Sequence, residues 1–237
     1  MSPYNLAVGH AAAIALLATA VGLVVRGRWR LSWAFAAYVP VVLSCNVVTG
    51  LWPQHFFVDG FSMGKQAAYD VLKLGIALEL GWRTFHLFPG AESAARKIAL
   101  VILTVTALSA LAVPTLSWGD DFVLTALGLI HPRVINGTIW LMAATLVIAQ
   151  WYRVPVHPFH AAVLTSFAVY LALFSTLLSL VGRYGRALES FLNVVDPLAY
   201  VLLVCWWVYI VWRPESETAT AHLGTLRKLQ FRASSCG

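Results

Sequence analysis

Four charged residues fall where an apolar chain tolerates charge least. Asp70, Lys73, Glu79 and Arg83 lie in one membrane-length segment of the stretch YDVLKLGIALELGWRTFHLFPGAESAARK, residues Tyr69–Lys97. Asp70 and Lys73 are three residues apart and Glu79 and Arg83 four apart, so each pair shares a helix face. Three roles are open to Asp70 and Lys73. They can form a structural ion pair with the Lys73 stem snorkelling to the surface, a proton, ion or ligand site, or a contact with a partner subunit. Tyr69 stands beside them as a hydrogen-bond donor in each case. For Glu79 and Arg83, in the favourable acid-before-base order, a structural anchor is expected. Both pairs argue that this helix turns away from lipid, toward a bundle centre or another protein.

Histidines are the next candidates. A haem or chlorophyll takes an axial imidazole held inside a helix, and b-type haem proteins bring two from facing spans. His10 is the best placed, and His160 matches His86 in depth, so these three are the possible cofactor ligands. His55 and His131 lie close to Pro53 and Pro132, and His157 and His160 flank Pro158, positions ordinary for interfacial histidine. Asn193 and Asp196 ahead of Pro197 read as a helix cap that starts the last span near Pro197, with Asp196 as a ligand or proton group the other reading. No HExxH zinc motif, phosphate loop, GxSxG turn or Ser-His-Asp set is present. Cys45, Cys205 and Cys236 form no CxxC pair. No catalytic residue and no metal ligand is assigned, and the chain is expected to be no enzyme.

What must position these groups is a membrane bundle. Only 11% of the 237 residues are charged, where a soluble domain has about 25%, and the mean hydropathy is +0.77. The deficit runs the whole length and leaves room for about seven spans of roughly 20 residues with short loops. The ten tryptophans suit a lipid interface, and the net charge of +6 resides in alternate loops rather than in a nucleic-acid patch. The first 25 residues lack a basic n-region and a small-x-small cleavage site, so they read as a retained first span.

The expected spans run about 5–25, 31–51, 64–88, 94–115, 133–150, 159–181 and 191–212. Trp52-Pro53, Pro89-Gly90, Pro155 with Pro158, and Arg213-Pro214 break or close them. Residues 122–130 are apolar but too short to cross alone, and are expected as a lead-in or half-buried helix before His131-Pro132. If they crossed separately, the count would be eight and the C-terminus would change sides. Lys and Arg test the map. Arg26, Arg28, Arg30, Arg83, Arg96, Lys97, Arg153, Arg213, Arg227, Lys228 and Arg232 give eleven on one side, and Lys65, Arg133, Arg183 and Arg186 give four on the other. The bias predicts a multi-pass protein of the bacterial cytoplasmic (inner) membrane, N-terminus outside and C-terminus cytoplasmic.

The spans must be helices, because backbone in hydrocarbon has to satisfy its own hydrogen bonds and strict barrel-strand alternation is missing. The expected fold is therefore all-α: residues 1–212 form a seven-helix transmembrane bundle with short loops, and 213–237 a short basic cytoplasmic tail. Ala11, Ala12, Gly75, Ala143 and Ala144 are expected to allow close helix contact. In the tail, Arg227, Lys228 and Arg232 alternate with Leu223, Leu226, Leu229 and Phe231, a pattern open to an amphipathic surface helix or to disorder. A microbial-rhodopsin layout is removed by the lack of a lysine in the last span to form a retinal Schiff base.

Three features carry a family likeness: Glu79-Leu80 to Arg83 followed by Phe88-Pro89-Gly90-Ala91 and Ala95-Arg96, the close Trp151-Tyr152-Arg153, and the final Trp212-Arg213-Pro214-Glu215. In these the chain resembles a group of small seven-span integral membrane proteins of acidobacterial-type bacteria. The resemblance implies the seven-span layout and carries over no catalytic residue. The leading expectation is an accessory or scaffold subunit of a larger bacterial membrane complex, photosynthetic, respiratory or similar, with other membrane subunits and bound lipids as partners and no nucleic acid. The alternatives are a seven-span sensory input module and a small ion-coupled transporter using Asp70, Lys73 and Glu79. No internal repeat or broken-helix pair supports a transporter.

Overall fold

The computed structural model describes residues 3–56, 59–86, 88–111, 122–184 and 189–214, and all regular structure among them is helical. Helix α1 (Pro3–Val25) ends at Gly27, whose φ of 65° is open to glycine without a Cβ clash. A 3-10 turn, Arg28–Arg30, leads into α2 (Trp33–Leu51), where the Ser32 hydroxyl caps the helix by accepting from the Phe35 amide at 3.2 Å. A one-turn α3 (Pro53–Phe56) precedes α4 (Asp59–Phe85), and α5 (Pro89–Leu111), α6 (Phe122–Trp151), α7 (Pro158–Tyr184) and α8 (Glu189–Trp212) follow. Proline opens α3, α5 and α7, where its missing N–H costs nothing and its φ is preset for a helix. At the end of α6, Arg153 turns left-handed with φ 50° and the Val154 amide reaches back to the Ala149 carbonyl at 2.8 Å.

Several expected boundaries move. Helices α4 and α5 each begin five residues before the expected span, at Asp59 and Pro89. Residues 122–130 are helical but not a separate element: α6 runs unbroken from Phe122 to Trp151 with Pro132 inside it, so the segment does not double back at His131. Helix α8 begins at Glu189 and runs through Pro197, so Asn193 and Asp196 lie inside a helix and cap nothing. In both places proline removes one backbone hydrogen bond without ending the helix, as happens where neighbouring helices hold both sides in place.

Among the described residues five segments are long and apolar enough to cross a membrane: Ala7–Val25, Trp33–Leu51, Ile130–Trp151, Pro158–Val181 and Phe191–Trp212. The other two long helices, α4 and α5, are the charged ones. At 27 residues α4 extends about 40 Å at 1.5 Å per residue.

The helices close a ring. Helix α1 packs on α2, α2 on α4, α4 on α6, α6 on α7, α7 on α8, and α8 returns to α1, while α5 lies outside against α6 and, less, α4. Closure between the first and last helices depends on Gly22, where a Cβ would lie 2.6 Å from a Val211 methyl and 2.7 Å from the Trp212 indole nitrogen. Gly137 likewise admits Thr106 of α5 against α6. These two glycines permit the tightest approaches among the described ones. Of the small residues expected to do so, Ala12 is buried and Gly75 faces Ala34, Ala143 and Ala144 are half-buried, and Ala11 is exposed, which corrects its packing role.

The ring is filled by an aromatic core. Phe35 of α2, Phe159 and Phe167 of α7 and Trp207 of α8 meet largely edge to face, with Phe35 to Trp207 centroids 5.3 Å apart, and all four are buried. Tyr38 sits one turn along α2 and touches both Phe167 and Trp207. Most of the tail expected at 213–237 lies outside the described residues, as do Asp120, Asp121 and Cys236.

Candidate functional site

Buried charge occurs on both sides of the aromatic core. On one side it serves helix ends. Glu79 of α4 receives the backbone amides of Trp33 at 2.9 Å and Ala34 at 2.7 Å, together with the Ser32 hydroxyl at 3.0 Å. These are the orphan donors at the start of α2, so Glu79 caps a neighbouring helix across the bundle. Its partner Arg83 donates to it from Nε at 2.8 Å and to the Arg30 carbonyl at 3.1 Å. Arg28 does the complementary work: its guanidinium donates to the carbonyls of Ile210 and Arg213 at the end of α8. Counted in the sequence as a loop charge, Arg28 is in fact buried, at 7% exposure. His160 is buried here as well, and its Nε2–H donates to the Leu31 carbonyl at 3.0 Å.

On the other side the buried charges face one another. Gln66, Asp70 and Lys73 recur at helical spacing along one face of α4. The Asp70 carboxylate is 91% buried; its Oδ1 lies 3.5 Å from the Lys73 ammonium and its Oδ2 pairs with Nδ1 of His131 from α6. The far nitrogen of His131, Nε2, meets the Gln66 amide. Asp196 of α8 is near enough for its charge to act on Lys73, and it accepts from the Tyr170 hydroxyl of α7 at 3.2 Å. Tyr38 and Tyr69 pack edge to face at 6.1 Å, and Tyr170 and Tyr200 lie 5.9 Å apart. The Tyr200 hydroxyl is buried with no hydrogen-bond partner among the described residues. Such an orphan costs about 1–3 kcal/mol unless water or a ligand answers it.

Two carboxylates, Asp70 and Asp196, are within electrostatic reach of one ammonium, Lys73, which pairs directly with Asp70. Prolines lie next to this level in three helices: Pro40 near Tyr38, Pro132 after His131 and Pro197 after Asp196. Each deprives the carbonyl four residues earlier, of Ala36, Gly128 or Asn193, of its helical N–H, which softens the backbone around the cluster.

A cleft of about 420 Å³ opens beside Asp70 between α4 and α6, with Gln66 and His131 among its walls and Val71, Leu74 and Val134 supplying apolar surface. A second, of about 280 Å³, lies between α4, α5 and α6, lined by Gly81, Trp82 and Ala144, with Glu92 and Arg96 also on its walls.

Of the residues singled out in the sequence, Asp70 with Lys73 and Glu79 with Arg83 are brought together as pairs, and the two pairs fall on opposite sides of the core. The possible cofactor ligands have separate surroundings: His10 is exposed on α1, His86 is exposed and stacked on Trp82 at 4.9 Å, and His160 is bound to Leu31. His131, Gln66, Tyr38, Tyr170, Tyr200 and Arg28 are additions that spacing did not single out. His131 was hidden by the proline after it, which reads as a helix end although the helix continues. Compared with known proteins, the chain matches no family model, no curated protein and no solved structure.

Proposed function

We propose that this chain is a seven-crossing, non-catalytic protein of a bacterial inner membrane that acts as an input module, with the Asp70–His131–Lys73–Asp196 cluster as its recognition site. The observation that carries the reading is asymmetry: the cluster opens sideways through the α4–α6 cleft, while toward the opposite end Phe35, Phe159, Phe167 and Trp207 fill the bundle. A transporter needs access from both faces in turn, and a site closed by a packed aromatic plug suits sensing better than passage. Glu79, expected as a transport group, is engaged by the start of α2 and by Arg83, which leaves it no vacant role in an ion path.

Counting α4 and α5 as crossings rests on their length and their place among apolar helices, with the charges of α4 satisfied inside the bundle. The Lys and Arg bias then puts the capped side in the cytoplasm and the polar cluster in the outer half. Tyr38, in contact with Tyr69 and with the plug residues Phe167 and Trp207, is the link through which a change at the cluster reaches the core.

The test is made on the full chain in lipid nanodiscs and in proteoliposomes. Backbone protection factors (exchange rates corrected for the intrinsic pH dependence of amide exchange) in α4 around residue 70 and in α6 around Pro132 should differ between mildly acidic and mildly alkaline buffer, and His131→Leu should remove the difference. An internal pH dye should report no proton flux above that of protein-free vesicles. Sustained flux abolished by Asp70→Asn would establish transport and overturn this reading, and protection factors indifferent to pH would remove the proton-linked site.

A further inference from the structure

We infer that the cleft between α4, α5 and α6 seats one acyl chain of a phospholipid with a zwitterionic head, its phosphate on Arg96 and its primary ammonium on Glu92. The site lies at the level of Glu79, apart from the Asp70 cluster, and is independent of what that cluster recognises.

The first argument is the space. Ala77 and Gly81 of α4, Ala95 and Ala99 of α5 and Ala144 of α6 all line the cleft. Small residues ordinarily let helices close on one another, yet here about 280 Å³ is left between three helices. The reason is the place of α5, which leans on α6 and only lightly on α4, so a seam opens where it leaves the ring. A narrow apolar seam suits a single slender chain. Its wall reaches the outside of the bundle at Leu78 and Ile98, which are 39% and 40% exposed. In a membrane protein that outer face meets acyl chains, so the seam fills sideways from the lipid.

The second argument is the pair of opposite charges on the same cleft, Glu92 in the first turn of α5 and Arg96 one turn on. Their spacing and acid-before-base order suit a pair with each other, yet among the described residues neither enters an ion pair. Four residues separate them by about 6 Å along the helix axis. Helix α5 starts at Pro89 and runs into its apolar stretch from Ile98, so Arg96 is the deeper charge and Glu92 the shallower. A phospholipid head has the same order, with phosphate next to the glycerol and chains and the amine beyond it. The planar Arg96 fork takes phosphate oxygens, and the Glu92 carboxylate accepts from a primary ammonium. Trp82 lines the cleft, is 63% exposed and stacks on His86, which marks this end as head-group level, where indole rings prefer to lie. An anionic head without an amine meets repulsion from Glu92, and a quaternary amine has no N–H to give it.

The experiment follows the thermal unfolding midpoint of the full chain in uncharged detergent as phosphatidylethanolamine, phosphatidylcholine or phosphatidylglycerol with identical acyl chains is added. Phosphatidylethanolamine should raise the midpoint saturably and at the lowest concentration of the three. Its concentration for half-effect should rise about tenfold in Arg96→Gln, the loss of one charge-assisted contact. Glu92→Gln should remove the preference for phosphatidylethanolamine over phosphatidylglycerol. Ile98→Trp fills the cleft from an exposed position and should abolish the saturable response while circular dichroism remains helical. A wild-type response in Ile98→Trp would overturn the cleft as the site. Equal action of phosphatidylglycerol on the wild type would overturn the zwitterionic head, and equal action of phosphatidylcholine would overturn the ammonium contact with Glu92.

Discussion

Helix α4 carries two ion pairs of nearly identical sequence form, and their fates differ. Glu79–Arg83 lies where α2 begins, so its carboxylate accepts from backbone N–H groups, while Arg28 on the same side donates to the backbone carbonyls at the end of α8. Asp70–Lys73 lies in the middle of the bundle, where helices pass without ending and offer no backbone partners. There the charges turn to side chains, Lys73, His131 and the tyrosines, and the Tyr200 hydroxyl is left without a partner among the described residues. The lesson is that a buried charge at a helix terminus is structural because the terminus has surplus donors or acceptors to satisfy. The same charge mid-helix has no such sink and remains open to protons or ligands.

Substitutions can break this contrast in order of size. Glu79→Ala is expected to cost most, about 3 kcal/mol, because two amides, a hydroxyl and a guanidinium lose their acceptor together. Unfolding of the purified protein in detergent measures it, and adding Arg83→Ala should bring no recovery, since the stranded α2 amides remain. Arg28→Ala should follow at about 2 kcal/mol, with Arg28→Lys recovering less than half because an ammonium lacks the planar fork that spans two carbonyls. At the other pair, Asp70→Ala and Lys73→Ala should each lower folded yield by the equivalent of about 1–2 kcal/mol, and the double variant should regain part of it. Recovery at Glu79/Arg83 but not at Asp70/Lys73 would reverse the assignment of the two pairs. The smallest effect, under about 1 kcal/mol, is expected for Asp196→Asn, which keeps an acceptor for Tyr170 while Asp70 stays beside Lys73.

Much of this was legible in the chain. The apolar runs and their proline and tryptophan punctuation placed five crossing-length helices, although α4 and α5 each begin five residues before the expected span and α6 eleven, and i,i+3 and i,i+4 spacing identified both pairs on α4. The misses at α6 and α8 share one source, proline inside a helix. Pro132 and Pro197 read as starts because proline ends isolated helices, yet in a packed bundle the adjoining helices hold the chain on both sides of the lost hydrogen bond. That misreading moved His131 to a helix end and so concealed it, and it put the cap first for Asp196, whose other reading as a ligand or proton group is the one compatible with its place inside α8.

By itself, then, the sequence determined that this protein is helical and apolar along its length, and which residues on α4 must find partners, because helix period and the cost of charge in lipid are local properties of the chain. The tertiary structure decided what those partners are. Closure of α8 on α1 and of α6 on α4 brings Arg28 to the end of α8 and His131 to Asp70 across 182 and 61 residues of chain. No local spacing encodes such meetings, since they arise only when the ring closes and each buried charge takes whichever groups the neighbouring helices present at its depth.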